Sequence, residues 1–210
     1  MGRLTGGING PIRGKVGTVI GSSWKGIPYL KGPYKKRTLK VSKKETGNRS
    51  KFSEAQYWLK PLLKFVREGF KGYTPTVEGF VAAKSYLLLN AFEGEQPDIR
   101  INPALVKVSY GDLPLSNNIA VAQIDGGAVH FSWDTAAVEG GNARDQVMLL
   151  AYDIENGKAY FTTTGQFRSV GADVLHIDPT PGKTWHFYVA FTAADRSRQS
   201  DSVYLGEATV

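Results

Sequence analysis

The chain has 210 residues, a formal net charge of +7, 41% hydrophobic residues and no cysteine. Disulfides, thiolate metal sites and cysteine nucleophiles are therefore excluded, and the hydrophobic content is ordinary for a protein with a buried core. The apolar runs are far shorter than the roughly 20 residues that span a bilayer, and no apolar segment follows the basic N-terminus. The sequence therefore predicts neither a membrane span nor a secretory signal peptide.

The positive charge is concentrated in the first 51 residues, which hold 13 basic residues and a single acidic residue, Glu45. The remainder of the chain holds 13 basic and 18 acidic residues. Glycine is frequent in the basic stretch, whose apolar content is too low for independent collapse, because ordering each residue costs about 1–2 kcal/mol of backbone entropy. We therefore predict an extended, basic, Gly-rich arm over residues 1–47 that takes its shape from a partner.

The arm carries side chains suited to docking. The β-branched residues Val16, Val19 and Ile20 lie among glycines, a pattern that favours strand addition to a protein partner. Lysines and aromatic rings elsewhere in the same arm could also neutralise phosphates and stack on bases, so nucleic acid is the alternative partner. The predicted partner-binding residues are Lys15, Trp24, Lys25, Tyr29, Tyr34, Lys35, Lys36 and Arg37.

A helical hairpin is predicted over residues 48–93. The first helix has an apolar stripe at three- and four-residue spacing, and Pro61 should kink or split it because its ring removes a backbone hydrogen bond. Gly69 and Gly72 should end that helix, and Thr74 followed by Pro75 is typical of the start of a second one. The two stripes consist of Phe52, Ala55, Leu59, Leu62 and Val66 in the first helix, and Phe80, Ala83, Leu87 and Ala91 in the second.

Residues 94–210 read as strands separated by turns. Asn156-Gly157 lies between two apolar runs, which predicts a hairpin with a type I′ turn. Short strands at this spacing are typical of an immunoglobulin-like or fibronectin-III-like β-sandwich, with Trp133 and Trp185 in its core. The fold class is therefore α+β. The eight predicted strands cover residues 105–110, 118–123, 128–133, 146–153, 158–163, 173–177, 185–192 and 202–209.

Several stretches carry a family resemblance: GKVGTV at 14–19 and GSSWKG at 21–26, with Arg49, Lys51 and Phe52 and with SVYL at 202–205. Together they resemble a family of small uncharacterised proteins of Bacteroidota, known as a domain of unknown function. The resemblance covers nearly the whole chain. It implies the layout of arm, helical hairpin and immunoglobulin-like domain, and it brings no activity, cofactor or catalytic residue.

Motifs that carry chemistry are missing. Val16 follows Gly14-Lys15 where a phosphate-binding loop needs Ser or Thr, and Asn9 stands where that loop needs glycine. The three histidines, His130, His176 and His186, fall in separate predicted strands without metal-ligand spacing. We therefore expect no enzyme activity, no metal and no cofactor, although a site on the sandwich loops is a third possibility beside the two binding roles.

These patterns favour a non-catalytic structural protein of a phage or phage-like particle, or of another large assembly, located in a virion or in the cytoplasm. The expected partners are protein subunits, including copies of the same chain. The alternative is an intracellular protein that binds nucleic acid through the basic arm.

Overall fold

The chain divides into two units, Met1–Ser42 and Lys43–Val210. The computed structural model describes residues 2–4, 6, 10–36, 38–73, 77–94 and 98–210. Helices and antiparallel sheets are both present, which confirms the predicted α+β class.

The N-terminal unit is a four-stranded antiparallel sheet with its strands in chain order. Tight turns produce this arrangement: Gly17 has a φ of 57° between the second and third strands, and Lys25 and Gly26 have φ of 48° and 83° between the third and fourth. Such positive φ values at two-residue turns match the twist of the strands that they connect. The strands are β1 (Arg3–Leu4), β2 (Ile12–Val16), β3 (Val19–Trp24) and β4 (Ile27–Lys31).

The prediction of an extended arm is therefore wrong for residues 12–31. Their strands form hydrogen bonds with one another, so they do not need a strand from a partner to form a sheet. Residues 32–36 and 38–42, which follow β4, form neither helix nor strand. Glycine also allows a close backbone approach in this sheet, because a Cβ at Gly21 would lie 1.9 Å from the carbonyl oxygen of Ile12.

Three helices open the C-terminal unit: α1 (Lys43–Leu59), α2 (Leu63–Gly69) and α3 (Gly79–Asn90). A 3-10 turn with Pro61 separates α1 from α2, which confirms the predicted split. The first helix begins five residues before the predicted start at Asn48. Thr74 and Pro75, predicted to start the second helix, lie outside the described residues.

The helices pack through their predicted stripes, with one exception. Ala55, Leu59, Leu62 and Val66 are fully buried, whereas Phe52 is 52% exposed and has the Lys84 ammonium 3.9 Å from its ring centroid. The prediction that Phe52 belongs to the buried stripe is therefore wrong, because α3 places a cation rather than an apolar side chain against its ring.

Nine strands follow in chain order in the described residues, and they form three antiparallel sheets. The predicted strand at 105–110 is wrong: a 3-10 turn occupies Pro103–Leu105, and the Ser109 hydroxyl and the Tyr110 backbone N–H both donate to the carbonyl of Gly69 at the end of α2. The other seven predicted strands are confirmed. The sheets are β5–β6, β11–β8–β7 and β10–β9–β12–β13, from β5 (Phe92–Glu93), β6 (Arg100–Ile101), β7 (Ala120–Asp125), β8 (Ala128–Ser132), β9 (Gln146–Asp153), β10 (Lys158–Thr162), β11 (Ala172–His176), β12 (Thr184–Thr192) and β13 (Val203–Thr209).

The central strands β9 and β12 are buried on both faces. Met148, Leu150 and Tyr188 pack against the helices, so the helical hairpin and the strands, which we predicted as separate domains, share one core. Leu149 and Phe187 face the other way, into a second core that also contains residues of β8 and β11. This double burial explains why both strands read as continuous apolar runs.

The β9–β10 hairpin is confirmed, but its turn type is not. Asn156 does not have the positive φ that a type I′ turn requires, and four residues separate the paired ends Asp153 and Lys158. The Asp153 carboxylate accepts hydrogen bonds from the backbone N–H and the side-chain amide of Asn156, at 3.0 and 2.8 Å. This side-chain capture stabilises the longer turn instead.

Candidate interaction surface of the N-terminal unit

The register of the N-terminal sheet places aromatic and basic side chains on one face. Trp24 pairs with Ile27 and Ser22 pairs with Tyr29. Residues that are directly opposite in an antiparallel pair project to the same side, as do alternate residues along a strand. We call this side the aromatic-cationic face, and it consists of Lys15, Ile20, Ser22, Trp24, Ile27, Tyr29 and Lys31.

The large side chains of this face are exposed: 58% for Trp24, 65% for Ile27 and 43% for Tyr29. Gly21 is the only residue in the described part of the N-terminal unit that is buried. A small sheet normally needs a covered apolar face to be stable. The N-terminal unit therefore has hydrophobic surface that its own residues do not cover.

Charge on the N-terminal unit has one sign. Residues 1–42 contain nine basic residues and no acidic residue, whereas residues 43–210 contain 17 basic and 19 acidic residues. The Lys25 ammonium lies 5.1 Å from the centroid of the Trp24 ring, within the range of a cation–π contact. Any compensating negative charge must come from outside these 42 residues.

The structure brings some of the predicted partner-binding residues together and leaves others apart. Lys15, Trp24 and Tyr29 share the aromatic-cationic face, and Lys25 borders it in the turn after Trp24. Tyr34, Lys35 and Lys36 are exposed in the segment after β4, beyond the sheet, and Arg37 lies outside the described residues. The list of predicted partner-binding residues left out Ile20, Ile27 and Lys31, which the strand register places on this face.

The open edge of β4 is poorly suited to strand addition. Trp24 and Ile27 flank a two-residue turn and so form a hydrogen-bonded pair. Every second residue, here Pro28 and Leu30, therefore directs its backbone groups away from β3. Pro28 has no N–H, which leaves Leu30 as the sole backbone donor at this edge of the described strand. The side-chain face, rather than the edge, is the surface available to a partner.

The histidines of the C-terminal unit do not form a site. His186 is buried, and its Nδ1 lies 2.9 Å from the Tyr204 hydroxyl and 3.3 Å from a Glu207 carboxylate oxygen. Burial lowers the pKa of His186, and the Glu207 charge opposes that shift only in part. In the described ranges no group of three or more His, Asp or Glu side chains is arranged to hold a metal ion, and no helix there is long and apolar enough to cross a membrane.

Sequence reasoning also missed a buried ion pair. Arg168 Nη2 lies 3.3 Å from Asp145 Oδ2, and the two side chains are 3% and 2% exposed. The guanidinium donates to the Ser116 hydroxyl and the Pro114 carbonyl and stacks over the Phe191 ring. Burial lowers the pKa of Arg168, and the Asp145 charge opposes that shift. The pair joins the loops at one end of the two larger sheets, and nothing in the local sequence pattern marks it.

Comparison with known families finds a match over most of the chain. A family of unknown function (DUF6266) matches residues 11–206, which confirms the expected resemblance to an uncharacterised family. Neither a curated protein nor a solved structure matches the chain.

Proposed function

The chain belongs to the DUF6266 family of unknown function, and we propose that it is a non-catalytic assembly protein that docks through its aromatic-cationic face. The observation that carries this proposal is the exposure of Trp24, Ile27 and Tyr29 on a unit whose only buried described residue is Gly21. A partner that covers this face would supply the hydrophobic burial that the unit lacks. Copies of the same chain and other protein subunits are the partners that we propose.

We propose that the C-terminal unit is the displayed part and that its two larger sheets form an immunoglobulin-like or fibronectin-III-like sandwich. The strand orders β11–β8–β7 and β10–β9–β12–β13 support this arrangement, because the two sheets contribute to one core around Phe131, Leu149 and Phe187. The helices cover the outer face of the four-stranded sheet.

Sedimentation velocity of the full chain tests the docking. Covering the exposed part of Trp24 removes roughly 90–150 Å² from water, because a tryptophan side chain buries about 150–250 Å² and 58% of this one is exposed. At about 25 cal/mol per Å² this contributes about 2–4 kcal/mol, or roughly 30- to 1,000-fold in association. We expect the double variant Trp24→Ser, Ile27→Ser to sediment as a monomer at concentrations where the native chain is an oligomer.

Tyr57→Ser is the matched control, since Tyr57 is 72% exposed but lies on α1 in the other unit. It should leave the sedimentation unchanged. A native chain that stays monomeric at high concentration, or a double variant that associates like the native chain, would refute docking between copies.

The phage or phage-like particle remains part of the proposal, and fractionation tests it. The chain should co-sediment with nuclease-protected particles from producing cells, and Trp24→Ser, Ile27→Ser should move it to the free fraction. Recovery of the native chain only in the cytoplasmic fraction would refute the proposal that the protein is part of a phage or phage-like particle.

Nucleic acid is the second candidate, because the N-terminal unit has no acidic residue and presents Trp24 and Tyr29 beside Lys15 and Lys31. Aromatic rings on a sheet surface with flanking cations suit stacked, single-stranded bases. The logarithm of affinity for an oligonucleotide should then fall by about 0.7 per contacted phosphate for each tenfold increase in salt. Lys35→Ala, Lys36→Ala should reduce that slope, and binding that ignores salt would exclude this candidate.

A further inference from the structure

A second surface of interest is a depression of about 700 Å³ in the C-terminal unit. It lies where three segments meet: the end of α2, the segment before β7 and the loop between β12 and β13. The residues that matter for its chemistry are Lys71, Tyr73, Tyr110, Asp112, Ser197 and Arg198.

Buried polar groups hold the three segments together beneath this depression. The Gln199 side-chain amide donates to the carbonyl oxygens of Lys71 and Tyr110, at 2.7 and 3.0 Å. Ser109, which is fully buried, donates to the carbonyl of Ser200 at 2.6 Å. A Cβ at Gly111 would lie 2.0 Å from the Gln199 carbonyl oxygen, so the backbones are in close contact. Such a satisfied polar network fixes the positions of the groups that it supports.

Two tyrosines form the aromatic wall of the depression. The rings of Tyr73 and Tyr110 meet edge to face, with centroids 5.0 Å apart, and Phe70 packs against both. They remain 40% and 38% exposed. Tyr73 therefore presents an exposed ring surface to a ligand, and Tyr110, whose ring centroid lies 4.8 Å from the Lys107 ammonium, holds Tyr73 in place from behind.

Two of the three cations around the depression are paired with carboxylates. Arg198 Nε lies 3.2 Å from Asp112 Oδ1, and Arg198 Nη2 donates to the Asp112 carbonyl oxygen. The Lys107 ammonium is paired with Asp201, and Lys71 Nζ donates to the carbonyl of Arg196 at 3.3 Å. The pairing of Arg198 with Asp112 sets a guanidinium donor beside a carboxylate acceptor, and the Asp112 side chain is 81% exposed. Of these three cations only Lys71 bonds a carbonyl rather than a carboxylate, so an anionic ligand would not meet two uncompensated cations at this depression.

We propose that this depression binds a neutral saccharide. Sugar rings have an apolar C–H face that packs on an aromatic wall, and their neighbouring hydroxyls both donate and accept hydrogen bonds. The exposed Tyr73 ring, held by Tyr110, matches the first property. The adjacent Asp112 carboxylate and Arg198 guanidinium match the second. This inference does not depend on the docking role of the N-terminal unit.

An array of neutral and acidic oligosaccharides probed with the full chain tests the proposal, followed by calorimetric titration of the array members that bind. We expect neutral saccharides to bind and both Tyr73→Ala and Asp112→Ala to weaken their binding at least tenfold. Tyr57→Ala, a change at an exposed tyrosine on α1, is the control and should have no effect. Unchanged thermal unfolding of each variant would exclude a loss of fold as the cause.

Three results would overturn the saccharide site: no bound array member, binding that survives both Tyr73→Ala and Asp112→Ala, or binding confined to acidic saccharides. The docking variant Trp24→Ser, Ile27→Ser separates this proposal from the assembly role. It should keep its saccharide affinity even where it no longer associates, and a loss of saccharide binding in that variant would place the ligand on the N-terminal unit instead.

Discussion

Removing the Asp145 carboxylate should strongly destabilise the C-terminal unit. The Asp145→Ala change leaves the Arg168 guanidinium 3% exposed with only the neutral Ser116 and Pro114 oxygens as acceptors. It also removes the acceptor for the backbone N–H of Asn142, which lies 2.8 Å from Asp145 Oδ2. Breaking a buried ion pair in this way costs about 3–5 kcal/mol, because an uncompensated charge remains in the interior.

Urea unfolding of the full chain, followed by circular dichroism, measures this loss. With a denaturant slope of about 2 kcal/mol per molar, the unfolding midpoint should fall by about 2 M. Arg49→Ala is the control, because it breaks the exposed Arg49–Glu45 pair on α1 and should change the free energy of unfolding by less than about 0.5 kcal/mol.

The double variant Asp145→Ala, Arg168→Met sharpens this test. Removing both charges should recover part of the stability lost in Asp145→Ala, since no unpaired charge is then buried. The reasoning would be refuted if Asp145→Ala lowered the free energy of unfolding by less than about 1 kcal/mol. It would also be refuted if the double variant were less stable than Asp145→Ala alone.

Two further predictions concern single positions. Gly21→Ala should disrupt the N-terminal sheet and abolish docking, because its Cβ would lie 1.9 Å from the Ile12 carbonyl oxygen. Gly32→Ala is the control: its Cβ meets no atom within 4 Å, so it should have no effect. Sedimentation velocity measures the association of the two variants, and limited proteolysis measures the order of their N-terminal units. Burial lowers the pKa of His186 in the folded state, so protonation favours unfolding, and the penalty grows as pH falls from about 6.5 toward the folded pKa. His186→Gln should make the urea midpoint fall less between pH 7.5 and 5 than in the native chain, and equal falls would contradict the assignment.

Periodicity in the sequence was enough to predict most of the C-terminal elements. The split at Pro61 and seven of the strands follow from local rules, because a proline ring or an alternating apolar run acts over only a few residues. The predicted strand at 105–110 failed for the opposite reason: its apolar alternation is real, but the Ser109 hydroxyl and the Tyr110 backbone N–H bond to Gly69 at the end of α2, some 40 residues earlier in the chain.

The candidate binding surfaces were likewise predicted only in part from the sequence. Composition alone showed a basic, aromatic and glycine-rich N-terminal segment, and from it we predicted Lys15, Trp24 and Tyr29 as partner-binding residues. Only the pairing of β2, β3 and β4 determined that these three share one face with Ile27 and that Pro28 weakens the edge. The Asp145–Arg168 pair and the depression around Tyr73 and Tyr110 bring together residues that lie far apart in sequence. No local sequence pattern predicts such contacts, because they form only when the sheets and helices pack against one another.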